Sequence, residues 1–178
     1  MPEALHSAVV VAVPEAAPVV DPWRERTLPE KPSIGIPPHV TLLTPFAPPD
    51  QIDERALREL FALYQPFMFR LARTARFPEL VYLEPEPAEP FVRMTEALVE
   101  RFPEYPPYEG AFESIVPHLT VASGDEAVLA EAEAAIRPSL PIEAEAREAV
   151  LLVEVVPWAR WETRARFAFA GPTRPVRT

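Results

Sequence analysis

The sequence predicts an α+β fold made of two similar halves, and three observations carry that prediction. The first is a repeat. Pro37-Pro38-His39-Val40-Thr41-Leu42-Leu43 returns 79 positions later as Val116-Pro117-His118-Leu119-Thr120-Val121-Ala122. Both copies read Pro-His-apolar-Thr followed by two apolar residues. The second observation is what comes next. After the first copy, Pro49-Asp50-Gln51-Ile52-Asp53 leads into Glu54-Arg55-Ala56-Leu57; after the second, Ser123-Gly124-Asp125-Glu126 leads into Ala127-Val128-Leu129. The third is that apolar runs of strand period and of helix period lie between the prolines along the rest of the chain. A strand carrying His and Thr, a turn, then an acidic helix start, stated twice, marks a duplicated half-domain.

Taken in order, residues 7–13 (Ser-Ala-Val-Val-Val-Ala-Val) are largely β-branched and stop at Pro14, which predicts a buried strand. His6 stands at its edge with no Thr two residues on and reads as structural. Residues 15–27 predict a short helix containing Trp23, and 28–38 a proline-rich loop that delivers the chain to His39. The helix at 51–64 sets Leu57, Leu60, Phe61 and Tyr64 along one stripe. Residues 67–77 and 80–83 predict strands. In the first, Phe67, Phe69 and Leu71 share one face, while Met68, Arg70 and Thr74 take the other, which makes Arg70 a candidate for substrate contact. A turn at 85–90 precedes a helix at 91–102, and residues 103–110, with Tyr105 and Tyr108, form a loop. The second motif strand is expected over 114–122 and the second acidic helix over 125–137. Residues 148–156 and 161–169 predict a closing hairpin around Pro157-Trp158. Trp158 and Trp161 read as core residues, with stacking on a base as the alternative; Arg164 is a second candidate for substrate contact.

Composition bounds the function. With 178 residues, 48% of them hydrophobic, the chain suffices for one domain spanning 1–178, or two small lobes of one, with a sizeable core. It has no cysteine, hence neither disulfide framework nor thiol chemistry. The start, Met1-Pro2-Glu3-Ala4, lacks the basic region of a signal peptide, and Pro14, Glu15 and Pro18 break the first apolar run too soon to span a bilayer. A soluble, cytoplasmic, monomeric protein without membrane attachment is expected. The net charge of −10 excludes a broad, non-specific grip on nucleic acid. A local pocket for one terminal phosphate stays compatible with it. The 25 prolines against 4 glycines point to stiff loops.

Side chains two apart on a strand point the same way, so His39 shares a face with Thr41, and His118 with Thr120. If the halves pair about a pseudo-twofold axis, two imidazoles and two hydroxyls converge on one cleft. Such a set suits binding a phosphate and moving protons on both sides of it. Neither copy has a second His, Cys or carboxylate at ligand spacing, so neither a metal nor a cofactor is expected.

Two His-apolar-Thr motifs on strands, about 80 residues apart in so short a chain, resemble the two-histidine (2H) phosphoesterase superfamily, most closely its bacterial 2',5'-RNA ligase and cyclic phosphodiesterase branch. The resemblance implies a bilobal α+β fold, two antiparallel sheets lining a central cleft with helices outside, and catalytic residues at His39, Thr41, His118 and Thr120. It implies metal-independent hydrolysis of a 2',3'-cyclic phosphate on an RNA end or nucleotide. Joining or cleaving 2',5'-linkages in RNA is the alternative with the same residues, and a non-catalytic nucleotide-binding module is the alternative without chemistry. Relatives often carry an aromatic or basic residue soon after a motif. Here Thr44 and Ser123 follow instead, with Phe46 next, which leaves the substrate open.

Overall fold

The two motif strands occupy equivalent places at the edges of two separate antiparallel sheets. A computed structural model describes residues 5–110 and 115–171. Strands β1 (Ser7–Ala12), β2 (His39–Leu43), β7 (Glu148–Val156) and β8 (Arg160–Ala168) form one sheet in the order β2-β1-β7-β8. Strands β3 (Phe67–Phe77), β4 (Leu80–Glu86), β5 (Leu119–Ser123) and β6 (Ile142–Ala146) form the other, in the order β5-β4-β3-β6. Helices α1 (Ala17–Thr27), α2 (Glu54–Phe61), α3 (Glu89–Arg101) and α4 (Glu126–Ile136) pack against them. In the first half β1, α1 and β2 follow one another; in the second, β4, α3 and β5 do the same. Each edge strand pairs antiparallel with the strand that precedes its helix. The duplication read from the sequence is therefore visible in the topology.

Local chemistry explains the elements. Val9, Val10 and Val11 of β1 are all buried, as befits a strand with neighbours on both sides and cores on both faces. The two acidic helix starts are N-caps: the Asp53 carboxylate accepts from Ala56 N–H at 3.0 Å and Asp125 from Val128 N–H at 3.0 Å. One contiguous core draws on both sheets, including Val9, Leu42, Phe61, Leu71, Met94, Leu119, Leu151 and Phe167. Among the described residues no helix is long and apolar enough to cross a membrane.

Several boundaries differ from expectation. The second motif strand starts at Leu119, not 114; His118 immediately precedes it and Ser114 lies outside the described residues. Strand β4 runs on to Glu86, taking in Pro85, where a turn is expected. Proline is tolerated there because β5 pairs only with Leu80–Leu83 and the β3 partner is bulged. Helix α2 ends at Phe61 rather than 64. Strand β6 has no counterpart in the sequence reading. Its Ile-Glu-Ala-Glu-Ala alternates correctly, but alanines make a weak apolar signal.

The halves hold one another. Helix α1 packs on β5, and α3 packs on β2, so each motif strand is covered by the other half's helix. One side-chain hydrogen bond marks each crossing. Thr95 Oγ1, buried in α3, donates to the Leu42 carbonyl at 2.7 Å, and Ser123 N–H donates to Thr27 Oγ1 of α1 at 3.1 Å. Thr95→Val keeps the volume but leaves that carbonyl without its donor. Its expected cost is about 1–3 kcal/mol. A thermal melt should show a midpoint several degrees lower, and an unshifted midpoint would show that the crossing bond is dispensable.

Candidate active site

Each histidine is fixed by the backbone just before it. Pro38 and Pro117 force the preceding residues, Pro37 and Val116, toward extended backbone. The carbonyl two positions back then meets the imidazole: His39 Nδ1 lies 2.8 Å from the Pro37 oxygen and His118 Nδ1 2.7 Å from the Val116 oxygen. A carbonyl only accepts, so Nδ1 carries the hydrogen and Nε2 is left as the basic nitrogen in both rings. Strand alternation does the rest. Val40 and Leu42 are buried beneath β2, Leu119 and Val121 beneath β5, and the two threonines turn the other way with the histidines.

All four side chains line one cavity of about 270 Å³. Ala8 and Val10 of β1 form part of its wall, Val10 opposite Thr41 in the sheet register. Leu80, Thr44, Tyr108 and Trp161 also border it. Among the described residues no group of three or more His, Asp or Glu side chains is disposed to hold a metal ion.

One further residue shapes the site from beneath. Arg24 of α1 is 2% exposed yet lines the cavity. A buried guanidinium needs partners, and this one has four. Nη1 donates to Asp21 at 2.8 Å; Nη2 donates to the carbonyls of Ile36 (2.9 Å), Glu30 (3.1 Å) and Pro37 (3.2 Å). Arg24 thus ties down the proline-rich loop that delivers His39, and it shares the Pro37 carbonyl with His39 itself.

The two histidines consequently sit in unequal surroundings. Burial is the main force on His39 and pushes its pKa down to about 4; the charges of Arg24 and His118 push the same way, against the Pro37 hydrogen bond. Burial also lowers His118, opposed by the Val116 hydrogen bond, with no contribution from Arg24. Around His118 stand aromatic rings instead: Phe77 and Tyr82 meet it edge-to-face at 5.2 and 5.5 Å between centroids.

Arg70 and Arg164 do not border the cavity. Arg70 is exposed on β3, across from Glu86 and Glu143 in the sheet register, and Arg164 donates to the Pro49 carbonyl. Of the loop tyrosines, Tyr108 borders the site, whereas Tyr105 packs against Phe46 in the core. Ser123 Oγ donates to the Glu79 carbonyl. His6 pairs with Glu154, 3.1 Å away. Nothing in the sequence marks Arg24; it is one of 16 arginines in a helix whose neighbour Arg26 is exposed.

A depressed histidine pKa ties stability to pH in a defined direction. The unfolded chain takes up a proton near pH 6.5 while folded His39 does not until about 4. Stability is therefore fully present above pH 6.5 and declines as pH falls toward 4, by up to about 3 kcal/mol from this residue. An NMR titration should find His39 neutral through pH 5 and His118 titrating below its ordinary range. A His39 midpoint near 6.5 would contradict the site's electrostatics.

Comparison with known proteins bears on the family and the fold. A family model described as the 2'-5' RNA ligase superfamily matches residues 12–156. A Bacillus licheniformis protein, named provisionally as a phosphoesterase, is 37% identical over 97 residues; the match spans 49% of this chain and about half, 53%, of that relative. Among solved structures, TT0787 of Thermus thermophilus superposes with a TM-score of 0.63 at 23% identity, covering 94% of this chain and 100% of that one. Escherichia coli LigT complexed with NADP+ superposes with a TM-score of 0.61 at 18% identity, covering 94% and 99%. The fold is theirs, and by the family match the chain belongs to the 2'-5' RNA ligase superfamily, the two-histidine phosphoesterases that its paired motifs resemble.

Proposed function

We propose that this chain is a cyclic phosphodiesterase that opens a 2',3'-cyclic phosphate at an RNA or nucleotide end, using His39, Thr41, His118 and Thr120. One observation carries the reading: two imidazoles with Nδ1 fixed on a carbonyl, and two threonines, line one cavity. In the step proposed, water attacks phosphorus while His39 Nε2 takes its proton. The bond to one ribose oxygen breaks, and that oxygen takes a proton from the Nε2–H of His118. A phosphomonoester remains. Threonine hydroxyls donate to the non-bridging oxygens as charge gathers on them.

The base role goes to His39 because burial and the Arg24 charge favour its neutral form. The acid role goes to His118, whose Val116 carbonyl supports the imidazolium without a guanidinium pushing against it. LigT, of the same fold, has been seen complexed with 3'-AMP and with phosphate, which supports a nucleotide phosphate as the ligand. By microscopic reversibility the same four groups serve 2',5'-joining when a ribose hydroxyl replaces water, in keeping with the family's description.

Two experiments test the scheme with a mononucleotide 2',3'-cyclic phosphate. His39→Ala and His118→Ala should each lower kcat by about 10²–10⁴-fold while keeping a normal melt, and the double variant should be little worse than either. Thr41→Val and Thr120→Val should each lose roughly 3 kcal/mol or less of transition-state stabilisation. Folded histidine variants with near-normal turnover would end the two-histidine reading. The second experiment is the pH dependence of kcat/KM, which reports the free protein. Protonating His39 switches the rate off on the acid side, and deprotonating His118 does so on the alkaline side. Since both are shifted down, the bell should peak below pH 6.5. A maximum above pH 7 would overturn the assignment.

A further inference from the structure

The histidine cavity has a neighbour across Trp161. Beyond it lies a second cavity of about 360 Å³, which shares Trp161, Ile36 and Glu30 with the first and adds Lys31, Trp158 and His6. Its size is that of a small-molecule site. Its two walls are the proline-rich loop before β2 and the turn between β7 and β8, and both are built rather than loose. The loop wall is set by Gly35, whose φ of +97° suits glycine and whose Cβ, were there one, would run into the Trp161 carbonyl oxygen. The turn wall is set by Glu154, 5% exposed, which accepts from His6 N–H at 3.3 Å and from Trp158 N–H at 3.2 Å while facing His6 Nδ1 at 3.1 Å.

The residue held by that carboxylate is the notable one. Trp158 has φ +60°, a conformation unfavourable for a bulky side chain, and its indole is 76% exposed. A core role, expected from the sequence, is thus excluded for Trp158. A strained turn, secured by a buried carboxylate, presents a large aromatic face beside a cavity that adjoins the histidine cavity across Glu30, Ile36 and Trp161. Trp161 lines both cavities and packs behind on Val10, Val150 and Leu152. Lys31, the chain's one lysine, borders the second cavity.

Resting on the cyclic-phosphate reading, we propose that this second cavity is a base-stacking subsite for the nucleotide next to the cyclic-phosphate end. The substrate is then an oligonucleotide terminus rather than a mononucleotide. The chemistry selects that occupant. A nucleobase has flat apolar faces for the Trp158 indole, and the phosphodiester joining it to the terminal nucleotide gives Lys31 an anion. With a net charge of −10, the chain as a whole repels a nucleic-acid backbone. Stacking, which tolerates any base, therefore supplies the affinity in place of a basic surface.

The test compares a trinucleotide ending in a 2',3'-cyclic phosphate with the matching mononucleotide. The quantity read is the ratio of their kcat/KM values in wild type, Trp158→Ala and Trp158→Phe. The alanine variant should lower the ratio by about 5- to 150-fold, the worth of one base–aromatic stack, acting mainly through KM, and phenylalanine should restore most of it. A ratio within twofold of wild type in Trp158→Ala overturns the subsite and leaves the cyclic-phosphate reading standing. Should wild type turn over neither substrate, that reading fails, and binding of a dye-labelled trinucleotide 3'-phosphate decides the subsite. Weaker binding to Trp158→Ala, recovered in Trp158→Phe, supports it; equal binding to all three proteins overturns it.

Discussion

The arrangement depends on crossed packing. A motif strand at the edge of a sheet has one bare flank, and bare edges invite pairing with other chains. Here each motif strand is covered by a helix from the other half, α1 on β5 and α3 on β2. The consequence is geometric. Neither half can place its histidine without the other, because the helix that backs one motif strand belongs to the repeat containing the second. The Thr95–Leu42 and Thr27–Ser123 hydrogen bonds tie the two crossings, one at each motif strand.

Within that symmetric frame the surroundings of the two histidines are asymmetric. The Pro-His-apolar-Thr repeat gives both imidazoles the same tautomer by the same carbonyl contact. What differs is the ground beneath them. Arg24 reaches from α1 to the loop before His39, whereas Phe77 and Tyr82 frame His118. A duplicated motif begins with two equal proton carriers, but acid–base catalysis of one displacement needs one of each kind. Deeper burial of His39, with the Arg24 charge pushing the same way, favours its neutral form, the direction the proposed base role requires.

How much of this was legible in the sequence follows from what kind of signal each residue leaves. The motif residues are visible because the chain repeats them with spacing two, and the capped helices because Asp53 and Asp125 stand where an N-cap must. Helix α3 and strands β1, β7 and β8 show through plain periodicity. Arg24 is invisible for a physical reason: its role comes from the loop that folds over it, at positions 30, 36 and 37, and nothing local distinguishes it from exposed Arg26. Trp158 misleads in the opposite sense. Hydrophobicity alone assigns an indole to the core, and only the left-handed backbone at the turn reveals that it points outward. Arg70 does share its sheet face with Leu80 and Thr120 through the β3–β4 and β4–β5 registers, but it pairs with Glu86, at the end of β4 remote from Leu80. Arg164 turns to the Pro49 carbonyl. Alternation reports a face and not the distance along a strand.

Arg24 also constrains how a phosphate is held. Its Nη1 and Nη2 donate to Asp21 and to three carbonyls, so they serve the protein rather than a ligand. It acts on the cavity through its field. The proposed donors to phosphate are then two neutral hydroxyls and whichever imidazole is protonated. An arriving anion must favour the charged form of a histidine that burial disfavours. In the proposed scheme, anion binding and the protonation of His118 therefore favour one another. The product phosphomonoester, once deprotonated to a dianion, would gain most from a fixed cation, and the engaged guanidinium offers it no free fork. In the proposed scheme, an arginine that fixes the loop before His39 without gripping the phosphate therefore favours release of the product over its retention.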